Sequence, residues 1–402
     1  MHILLVADGR SPIARGWLRS LLALDYHVTL LSTYPCEAPT GIEALHVLPV
    51  AFSRYAPASG RDLPKTNQTK VSFFIKTFRR PLSNLRYMLG PLSVQNSASR
   101  YRQLVELIKP DLVHALRIPF EGMLASYTPS EIPLAVSIWG NDLTLHAPHS
   151  RAMASATRRS LERADGLHAD TQRDQRLAQE WGFPAGRPAL VAPSNGGIDL
   201  DRIIRDQTPL PADYEAKIPE NCTLVINPRG LRAYTCTNTF FDAIPLILQA
   251  KPDTAFLCPG MAGRPEAEQA LSRIQGDERV ILLPSLPQDQ LWHLFTRCPV
   301  SISVTTHDGT PNTLLEAMAC GSFPVAGDIE ALREWLIQGK NGLLVNPHSP
   351  QELAEAVLVA LNDPRLRTRG REVNLELVRQ RAEVAHVRPK IAAFYQEILN
   401  MR

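Results

Sequence analysis

Short apolar runs alternate with helical patterns along most of the chain, and this alternation limits the fold more than any other feature. The run 2–7 reads as a buried strand, 17–24 as a helix and 26–32 as a second strand. From residue 223 onward, strands and helices again follow one another at intervals of about ten to fifteen residues. Strand–helix–strand order at this spacing predicts parallel sheets packed against helices. We therefore expect an α/β fold.

The length of the chain allows more than one domain. With 402 residues, it is long enough for two domains of ordinary size. The segment 201–218 is polar and contains several prolines, which is typical of a linker. We place the boundary within this segment, which gives an N-terminal domain over 1–204 and a second domain over 205–384.

Composition excludes several classes of protein. The net charge of +3 does not fit a nucleic-acid-binding polycation. The six cysteines are scattered without a CxxC pair, so we expect reduced thiols in a cytoplasmic protein and no metal site. No apolar stretch approaches about 18 residues, the length that predicts a membrane-spanning helix, and the start, MHILLVADG, lacks the basic region of a signal peptide.

The stretch from 308 to 325, DGTPNTLLEAMACGSFPV, carries the strongest chemical signal. It predicts a helix with Thr310 as the N-cap and Pro311 in the first helical position. Free N–H groups at such a helix start attract phosphate. Asp308 precedes the helix and Glu316 lies inside it, and carboxylates accept hydrogen bonds from sugar hydroxyls. Phosphate and sugar together indicate a nucleotide-sugar ligand.

Two arginines follow the first strand of the second series. Arg229 and Arg232 lie on the turn after 223–227, and guanidinium groups bind phosphate through paired hydrogen bonds. We interpret the pair as part of the phosphate site. The alternative is a pair of ordinary surface charges.

Two loops of the N-terminal half are candidate walls of a ligand crevice. The turn Asp8, Gly9, Arg10 and Ser11 follows the first strand, where it can line such a crevice or face solvent. It does not match G-x-G-x-x-G, so a dinucleotide fingerprint is not indicated. Asn195 lies in SNGGID, where two glycines permit close approach of the backbone.

Polar residues also accompany two later strands. His114 belongs to the predicted strand 110–116, and Trp139, Asn141 and Asp142 come at the end of the next one. Trp139 can stack on a sugar ring, and Asp142 can accept a hydrogen bond from a hydroxyl. The alternatives are a hydrogen-bonded core histidine for His114 and a helix N-cap for Asp142.

The segment 65–109 is basic. Glu106 is its only acidic residue, whereas lysines and arginines recur among aromatic and aliphatic residues. Such a mixture can bind an anionic membrane surface or an anionic acceptor, or it can be a solvated helix face. Nucleic acid fits less well, because the rest of the chain balances the charge.

These motifs together resemble the retaining GT-B glycosyltransferases of the large fourth family, the group 1 glycosyltransferases. The resemblance is strongest in EAMACGSFPV, Glu334 and NGLLVNP, and it continues through PDLVHA, WGNDL and PSNGGID. It implies two Rossmann-like parallel-sheet domains that face a cleft. It also implies that the C-terminal helix, 385–402, crosses back to complete the N-terminal domain.

The resemblance implies roles for individual residues. Glu316 would bind the ribose hydroxyls, Asp308 the transferred sugar and Arg229 the phosphate, while backbone groups near Leu286 would hold the base. The remaining donor contacts would come from five consecutive residues, Gly309, Thr310, Pro311, Asn312 and Thr313.

The chain departs from the family pattern in its first turn, DGRSPIARG in place of a glycine-rich turn, and at Trp139, where a histidine is usual. Two further departures concern the donor site. The first acidic residue is Asp308 instead of glutamate, so its carboxylate reaches less far. Tyr234 replaces the lysine that usually follows the phosphate-binding arginine, and Arg232 would then take its role.

The implied activity is metal-independent, retaining transfer of a sugar from a UDP- or GDP-sugar to a glycan, lipid-linked or small-molecule acceptor. No cofactor is expected, and the protein would work in the cytoplasm, peripherally on the membrane if 65–109 binds lipid. Asp308, His114 and Asp142 are the catalytic candidates. The acceptor-side candidates are Asp8, Gly9, Arg10, Ser11, Trp139, Asn141 and Asn195. The alternatives are a nucleotide-sugar epimerase or hydrolase and a catalytically weakened nucleotide-sugar-binding partner.

Overall fold

The computed structural model describes residues 1–55 and 79–401. It divides into two compact units: unit 1 is Met1–Gly197 with Val384–Arg402, and unit 2 is Ile198–Glu383. The residues from 65 to 78, part of the predicted basic segment, lie outside the described ranges.

The boundary between the units differs in detail from the sequence-based one. The predicted break between 204 and 205 falls inside a helix of unit 2, Leu200–Arg205. Asp199 begins this helix, because its side chain accepts a hydrogen bond from the backbone N–H of Arg202 at 2.9 Å. The expected linker also contains the helix Ala212–Glu215. Local capping therefore gives order to a segment that its prolines and charges suggested was irregular.

Unit 1 is built on a seven-stranded sheet with the order β3-β2-β1-β4-β5-β6-β7. Every pair of neighbouring strands is parallel. The strands are β1 (His2–Ala7), β2 (His27–Ser32), β3 (Ala44–Val47), β4 (Leu112–Leu116), β5 (Leu134–Ile138), β6 (Gly166–Ala169) and β7 (Ala189–Val191). β1, β4 and β5 are buried along almost their whole length because both faces of the sheet are covered.

The helices of unit 1 cover the sheet. Its first helix begins earlier than predicted, because Ser11 and Pro12 supply a cap and a first-turn proline. The longer helices are Pro12–Leu22, Arg79–Ile108, Arg151–Arg163, Gln172–Glu180 and Val384–Asn400. Short helical segments occupy Ser53–Tyr55, Ile118–Gly122, Met123–Ala125, Asp142–His146 and Ala147–His149.

The C-terminal helix Val384–Asn400 belongs to unit 1, which confirms the predicted return of the chain. Its buried residues join the core cluster that contains Trp17. Gly166 makes this packing possible, since a Cβ there would lie 2.2 Å from Cδ1 of Ile398. The preceding helix, Pro364–Ala382, stays in unit 2.

Unit 2 repeats the architecture with a six-stranded parallel sheet, in the order β10-β9-β8-β11-β12-β13. The strands are β8 (Thr223–Ile226), β9 (Thr254–Pro259), β10 (Val280–Leu283), β11 (Val300–Ser303), β12 (Phe323–Gly327) and β13 (Leu343–Val345). The further helices are Thr237–Ala250, Pro265–Arg273, Gln288–Arg297, Asn312–Cys320, Glu330–Arg333, Pro350–Asn362 and Pro364–Ala382. The prediction of two Rossmann-like parallel-sheet domains is confirmed.

Each sheet has one point at which the direction of winding reverses. In unit 1 this point lies between β1 and β4, and in unit 2 between β8 and β11. In open α/β sheets, ligands bind beyond the carboxyl ends of the strands at this switch point. The loops after these four strands are therefore where a site is expected in each unit.

No helix in the described ranges is both long enough and apolar enough to span a bilayer.

Candidate functional site

The switch point of unit 2 brings together three residues that the sequence had singled out. Arg229 follows β8, and Asp308 follows β11. A nitrogen of the Arg229 guanidinium, Nη2, donates to the carboxylate of Asp308, and Nη1 donates to Thr313 Oγ1 at 3.3 Å. Both members of the ion pair are largely buried. Arg229 Nε is buried and has no hydrogen-bond partner within 1–55 and 79–401, so a donor of this guanidinium stays available to a ligand.

The helix Asn312–Cys320 begins at this ion pair. Pro311 occupies the N-cap position, and its carbonyl accepts from Leu314 N at 2.9 Å. The prediction of Thr310 as the N-cap is wrong. Its hydroxyl instead accepts a hydrogen bond from Trp335 Nε1 at 2.8 Å. No side chain caps the helix, and its first N–H groups therefore remain available to an anion.

Glu316 lies in the second turn of the same helix and is buried, with 5% of its surface exposed. The exposed Gln288 donates from Nε2 to Glu316 Oε1 at 2.5 Å. Burial raises the pKa of Glu316 to about 7. A carboxyl group with one exposed amide partner can exchange that partner for a ligand hydroxyl. Leu286 is half-buried just before Gln288, in the loop after β10.

The turn after β8 also carries Arg232, which the structure does not join to the ion pair. Arg232 is exposed, and its hydrogen bonds in the described part of the chain involve its backbone: its N–H donates to Thr235 Oγ1, and its carbonyl accepts from Thr235. The carbonyl of Tyr234 accepts from Thr306 N at 3.0 Å. Tyr234 thus connects the loops after β8 and β11 through its backbone. Gly309 lies between Asp308 and Thr310 on the second loop.

A pocket of about 160 Å³ lies at the switch point of unit 1. Asp8 and Ser11, predicted from the first turn, line it together with Trp139. The other lining residues are Tyr34, Arg86, Tyr87, Leu116, Arg117, Pro119, Phe120 and Glu121. The loop after β4 supplies half of this second group, and sequence reasoning had missed it.

The loop from 117 to 122 has an unusual backbone. Arg117 and Phe120 have φ values of +99° and +75°, a region that costs non-glycine residues free energy and is often found at functional sites. Glu121 is buried in this loop, with 4% exposure, and Thr33 Oγ1 donates to its Oε1 at 2.5 Å. Burial raises the pKa of Glu121 to about 7. The available signal was an acidic residue within an apolar run directly after a strand.

Asp142 is fully buried and joins two loops of the pocket. Its carboxylate accepts from Arg117 Nε at 3.1 Å, from Ile118 N at 3.2 Å and from Trp139 N at 3.1 Å. Burial raises the pKa of this carboxyl group despite the nearby guanidinium. Because these bonds occupy both oxygens, the geometry favours neither the predicted catalytic role nor the N-cap. Asp142 therefore links the loops after β4 and β5, and its catalytic role stays a prediction.

His114 belongs to a buried chain of hydrogen bonds. Its Nδ1 lies 2.7 Å from the Tyr395 hydroxyl and its Nε2 lies 2.9 Å from Ser137 Oγ. Ser137 Oγ lies 2.8 Å from His168 Nδ1, and His168 Nε2 lies 3.0 Å from the carbonyl of Ala192. The geometry therefore favours the core histidine that the sequence left open, rather than a catalytic His114.

The two ends of this chain fix its direction. Trp17 Nε1 can only donate, and it donates to the Tyr395 hydroxyl at 3.0 Å. A carbonyl at the other end can only accept, so His168 Nε2 carries a proton and its Nδ1 accepts from Ser137. His114 then donates from Nε2 and accepts from Tyr395 at Nδ1. Both histidines are neutral, and burial lowers the pKa of each.

The remaining acceptor-side predictions have different outcomes. Asp8 accepts from Arg10 Nη2 at 2.9 Å, and the Arg10 guanidinium lies 3.8 Å from the centroid of the Tyr34 ring. Gly9 packs too closely for a side chain, since a Cβ would lie 2.5 Å from Cys36 Sγ.

Two asparagines serve the backbone rather than the pocket lining. The carbonyl of Asn141 accepts from Leu145 N at 3.0 Å. Asn195 Oδ1 accepts from Gly197 N at 3.1 Å, and the backbone of Asn195 packs against Gly16. Neither residue lines the pocket of unit 1.

The possibility of a metal site concerns residues 1–55 and 79–401. Within them, no group of three His, Cys, Asp or Glu side chains is arranged to hold a metal ion.

Comparison with known families identifies both halves of the chain. A model described as "Glycosyl transferase 4-like domain" matches residues 9–194, and one described as "Glycosyl transferases group 1" matches 231–363.

Curated relatives are distant. The chain is 23% identical to a D-inositol 3-phosphate glycosyltransferase from Corynebacterium glutamicum, over 58% of this chain and 57% of the relative. It is 24% identical to a 2-deoxystreptamine glucosyltransferase from Streptomyces kanamyceticus, over 75% of this chain and 83% of the relative. The matched part thus spans little more than half of the first relative.

Solved structures share the fold across the whole length. The HepE protein of Anabaena, solved with UDP, matches with a TM-score of 0.70 at 17% identity and covers 98% of this chain and 100% of its own. A sucrose-phosphate synthase from Thermosynechococcus elongatus matches with a TM-score of 0.73 at 15% identity, covering 100% and 99%.

Proposed function

This chain belongs to the group 1 glycosyltransferases, and we propose that it is a metal-independent, retaining enzyme of this family. It takes a nucleoside-diphosphate sugar, a UDP- or GDP-sugar, as donor and needs no further cofactor. The acceptor is a glycan, a lipid-linked glycan or a small molecule. HepE has been solved in complexes with UDP and with UDP-glucose, which supports a nucleotide-sugar donor here.

The observation that carries the proposal is the charge arrangement at the switch point of unit 2. Arg229, the uncapped start of the helix Asn312–Cys320 and the unpartnered Arg229 Nε all offer donors to an anion. Asp308 and Glu316 offer carboxyl groups to hydroxyls within the same unit. Donors for a diphosphate beside acceptors for sugar hydroxyls are what a nucleotide-sugar requires.

The chemistry follows from where charge develops. When the bond between the anomeric carbon and phosphate breaks, its electron pair moves to the diphosphate and the sugar becomes oxocarbenium-like. Arg229 and the helix N–H groups stabilise the new negative charge without a metal ion. The acceptor hydroxyl adds to the same face of the sugar, and its proton goes to an oxygen of the leaving phosphate. This route retains the anomeric configuration and needs no protein nucleophile.

The pocket of unit 1 is the acceptor site in this proposal. Asp8, Ser11 and Trp139 line it, and Asp142 holds two of its loops in place. Its position at the second switch point supports a ligand-binding role. Asp308 is retained as the acidic group nearest the transferred sugar.

Thermal-shift measurement against UDP-, GDP- and ADP-sugars tests the donor, because a bound donor stabilises the folded chain by mass action. Acceptor-dependent release of nucleoside diphosphate then distinguishes transfer from hydrolysis or epimerisation. NMR of the product determines its anomeric configuration. Repeating the transfer assay with EDTA shows whether activity depends on a metal ion. Donor binding without turnover on a broad acceptor panel would favour the weakened binding partner instead.

The exposed part of the helix Arg79–Ile108 supports a peripheral membrane role. Met88 and Leu92 are 58% and 54% exposed, and Arg100 and Arg102 are exposed further along the helix. Apolar and basic side chains together suit an anionic membrane surface. This would place the enzyme in the cytoplasm, at the inner face of the membrane.

A further inference from the structure

The pocket of unit 1 contains hydrogen-bond donors that the protein leaves unsatisfied. Arg86 Nε and Trp139 Nε1 are buried and have no hydrogen-bond partner within the described ranges. A buried donor without a partner costs about 1–3 kcal/mol, and such groups are uncommon in folded proteins. Both residues line the same pocket, so a single ligand can satisfy both donors.

The charges around the pocket point in the same direction. Arg10 is paired with Asp8, and Arg117 is paired with Asp142. Arg86 makes no ion pair in the part of the chain that the structure describes. Among these three arginines, Arg86 is therefore the one whose charge no ion pair of the described residues neutralises.

Aromatic rings hold the unpaired guanidinium in place. Arg86 Nη2 donates to the hydroxyl of Tyr34, and its guanidinium carbon lies 4.7 Å from the centroid of the Phe120 ring. These contacts are weaker than an ion pair, and they leave the charge of the guanidinium uncompensated. An arginine held in this way is suited to binding an oxyanion.

We propose that this pocket binds an anionic group of the acceptor, a phosphate or a carboxylate, through Arg86 and Trp139. An oxyanion supplies the acceptor oxygens that these two donors need. The inference rests on the proposed glycosyl transfer and adds the acceptor class, which is a sugar or polyol bearing a negative group.

Glu121 makes this binding sensitive to pH. It lies in the same pocket, and the charged or titratable groups around it are Asp8, Tyr34, Arg86 and Arg117. Thr33 donates to Oε1 of this carboxyl group. A protonated Glu121 can donate to an oxyanion, whereas an ionised one repels it. Affinity for the anion should therefore fall as pH rises through about 7.

The first test compares three ligands with the same ring on the full-length chain by calorimetry at pH 6: glucose 6-phosphate, glucuronate and glucose. We expect either or both anionic ligands to bind at least tenfold more tightly than glucose. Arg86→Gln should remove that advantage, and Trp139→Phe should reduce it. Arg100→Gln, an exposed arginine on the same helix, should not. Equal affinity for all three ligands, or an unchanged advantage in Arg86→Gln, would overturn the proposal.

The second test uses inorganic sulfate, whose charge is constant between pH 5.5 and 8.5. Wild-type affinity for sulfate should fall several-fold across this range, and Glu121→Gln should flatten the dependence. If the pH dependence survives in Glu121→Gln, Glu121 is not the group responsible. Binding of UDP is measured on the same samples. If the wild-type protein does not bind UDP, the result argues against the proposed function. If it binds UDP but shows no preference for anionic ligands, the result argues only against the proposed role of this pocket.

Discussion

The two switch points use the same place in the same kind of sheet but distribute charge differently. In unit 2 the arginine after β8 is already paired with the carboxylate after β11, Asp308. In unit 1 the pocket keeps one unpaired arginine, Arg86, supplied by a helix. A ligand of unit 2 must compete with Asp308 for Arg229. A negatively charged ligand of unit 1 would instead supply the ion-pair partner that Arg86 lacks. Equivalent topology therefore fixes where ligands bind, while side chains decide what charge they carry.

The two sites also share a feature. Each contains one buried glutamic acid, Glu316 or Glu121, which accepts a hydrogen bond from a polar side chain and has a pKa raised to about 7. Burial is the main cause in both. Four experiments test whether the two units differ in this way.

The largest effect is expected from the arginine of unit 2. Arg229→Ala should lower kcat by a hundred- to thousandfold, the usual effect of removing one fixed donor from a developing charge, about 2.7–4 kcal/mol. Steady-state kinetics with the identified donor measures it. Arg273→Ala, an exposed arginine in the same unit, is the control. A kcat close to wild type in Arg229→Ala would remove this residue from the site.

The buried glutamates predict a stability that depends on pH. A folded-state pKa raised from 4.5 to about 7 does not lower the free energy of unfolding below pH 4.5. The loss of stability grows between pH 4.5 and 7 and reaches its full size above pH 7. Glu316→Gln should therefore stabilise the protein by up to about 3 kcal/mol at pH 8 and by much less at pH 5.

Urea unfolding at both pH values measures this effect. Glu121→Gln should behave alike, which would show that the two units bury their acids at similar cost. A stabilisation of the same size at pH 5 and pH 8 would contradict the raised pKa values.

The hydrogen-bond chain of unit 1 predicts a smaller loss. Tyr395→Phe leaves Trp17 Nε1 and His114 Nδ1 without a partner, which should cost about 1–3 kcal/mol of unfolding free energy. Tyr26→Phe is a matched control, because the Tyr26 ring lies 6.1 Å from that of Tyr395 and its hydroxyl makes no hydrogen bond within the described ranges. An equal loss of unfolding free energy in both variants would argue against this hydrogen-bond chain.

The smallest effect concerns the membrane. If the helix Arg79–Ile108 binds anionic lipid, more protein should sediment with anionic liposomes than with neutral ones. The binding free energy should be more favourable by about 1 kcal/mol for each arginine near the surface. Binding should fall at higher salt because screening weakens it. Leu92→Ser with Met88→Ser should reduce it further. Salt-independent binding would point to a purely apolar contact.

The sequence predicted much of unit 2 because its signals are local. Asp308, Glu316 and Thr313 lie within one short motif, and Arg229 follows a strand, so a rule about strand ends and helix starts was enough to place them. The error at Thr310 was also local: its hydroxyl is used by Trp335, which is distant in sequence.

The site of unit 1 was harder to predict because its contacts cross the sheet. From the sequence, Asp142 looks like a catalytic residue because it is acidic and follows a strand. In the structure it holds Arg117 and the loop after β4 in place. Glu121 and Arg86 were not recognised because no motif marks them. Only the folded sheet brings a helix residue and a loop residue to one pocket.

The sequence by itself determined the α/β class, the family and the donor motif, since these depend on periodicity and on residues close together in the chain. The tertiary structure alone decided which polar residues are buried, which are paired and which are left unsatisfied. Burial and pairing depend on neighbours from distant parts of the chain, and they set the pKa of Glu121 and the free charge of Arg86. The motif of unit 2 was therefore readable from the sequence, whereas the character of the pocket of unit 1 was not.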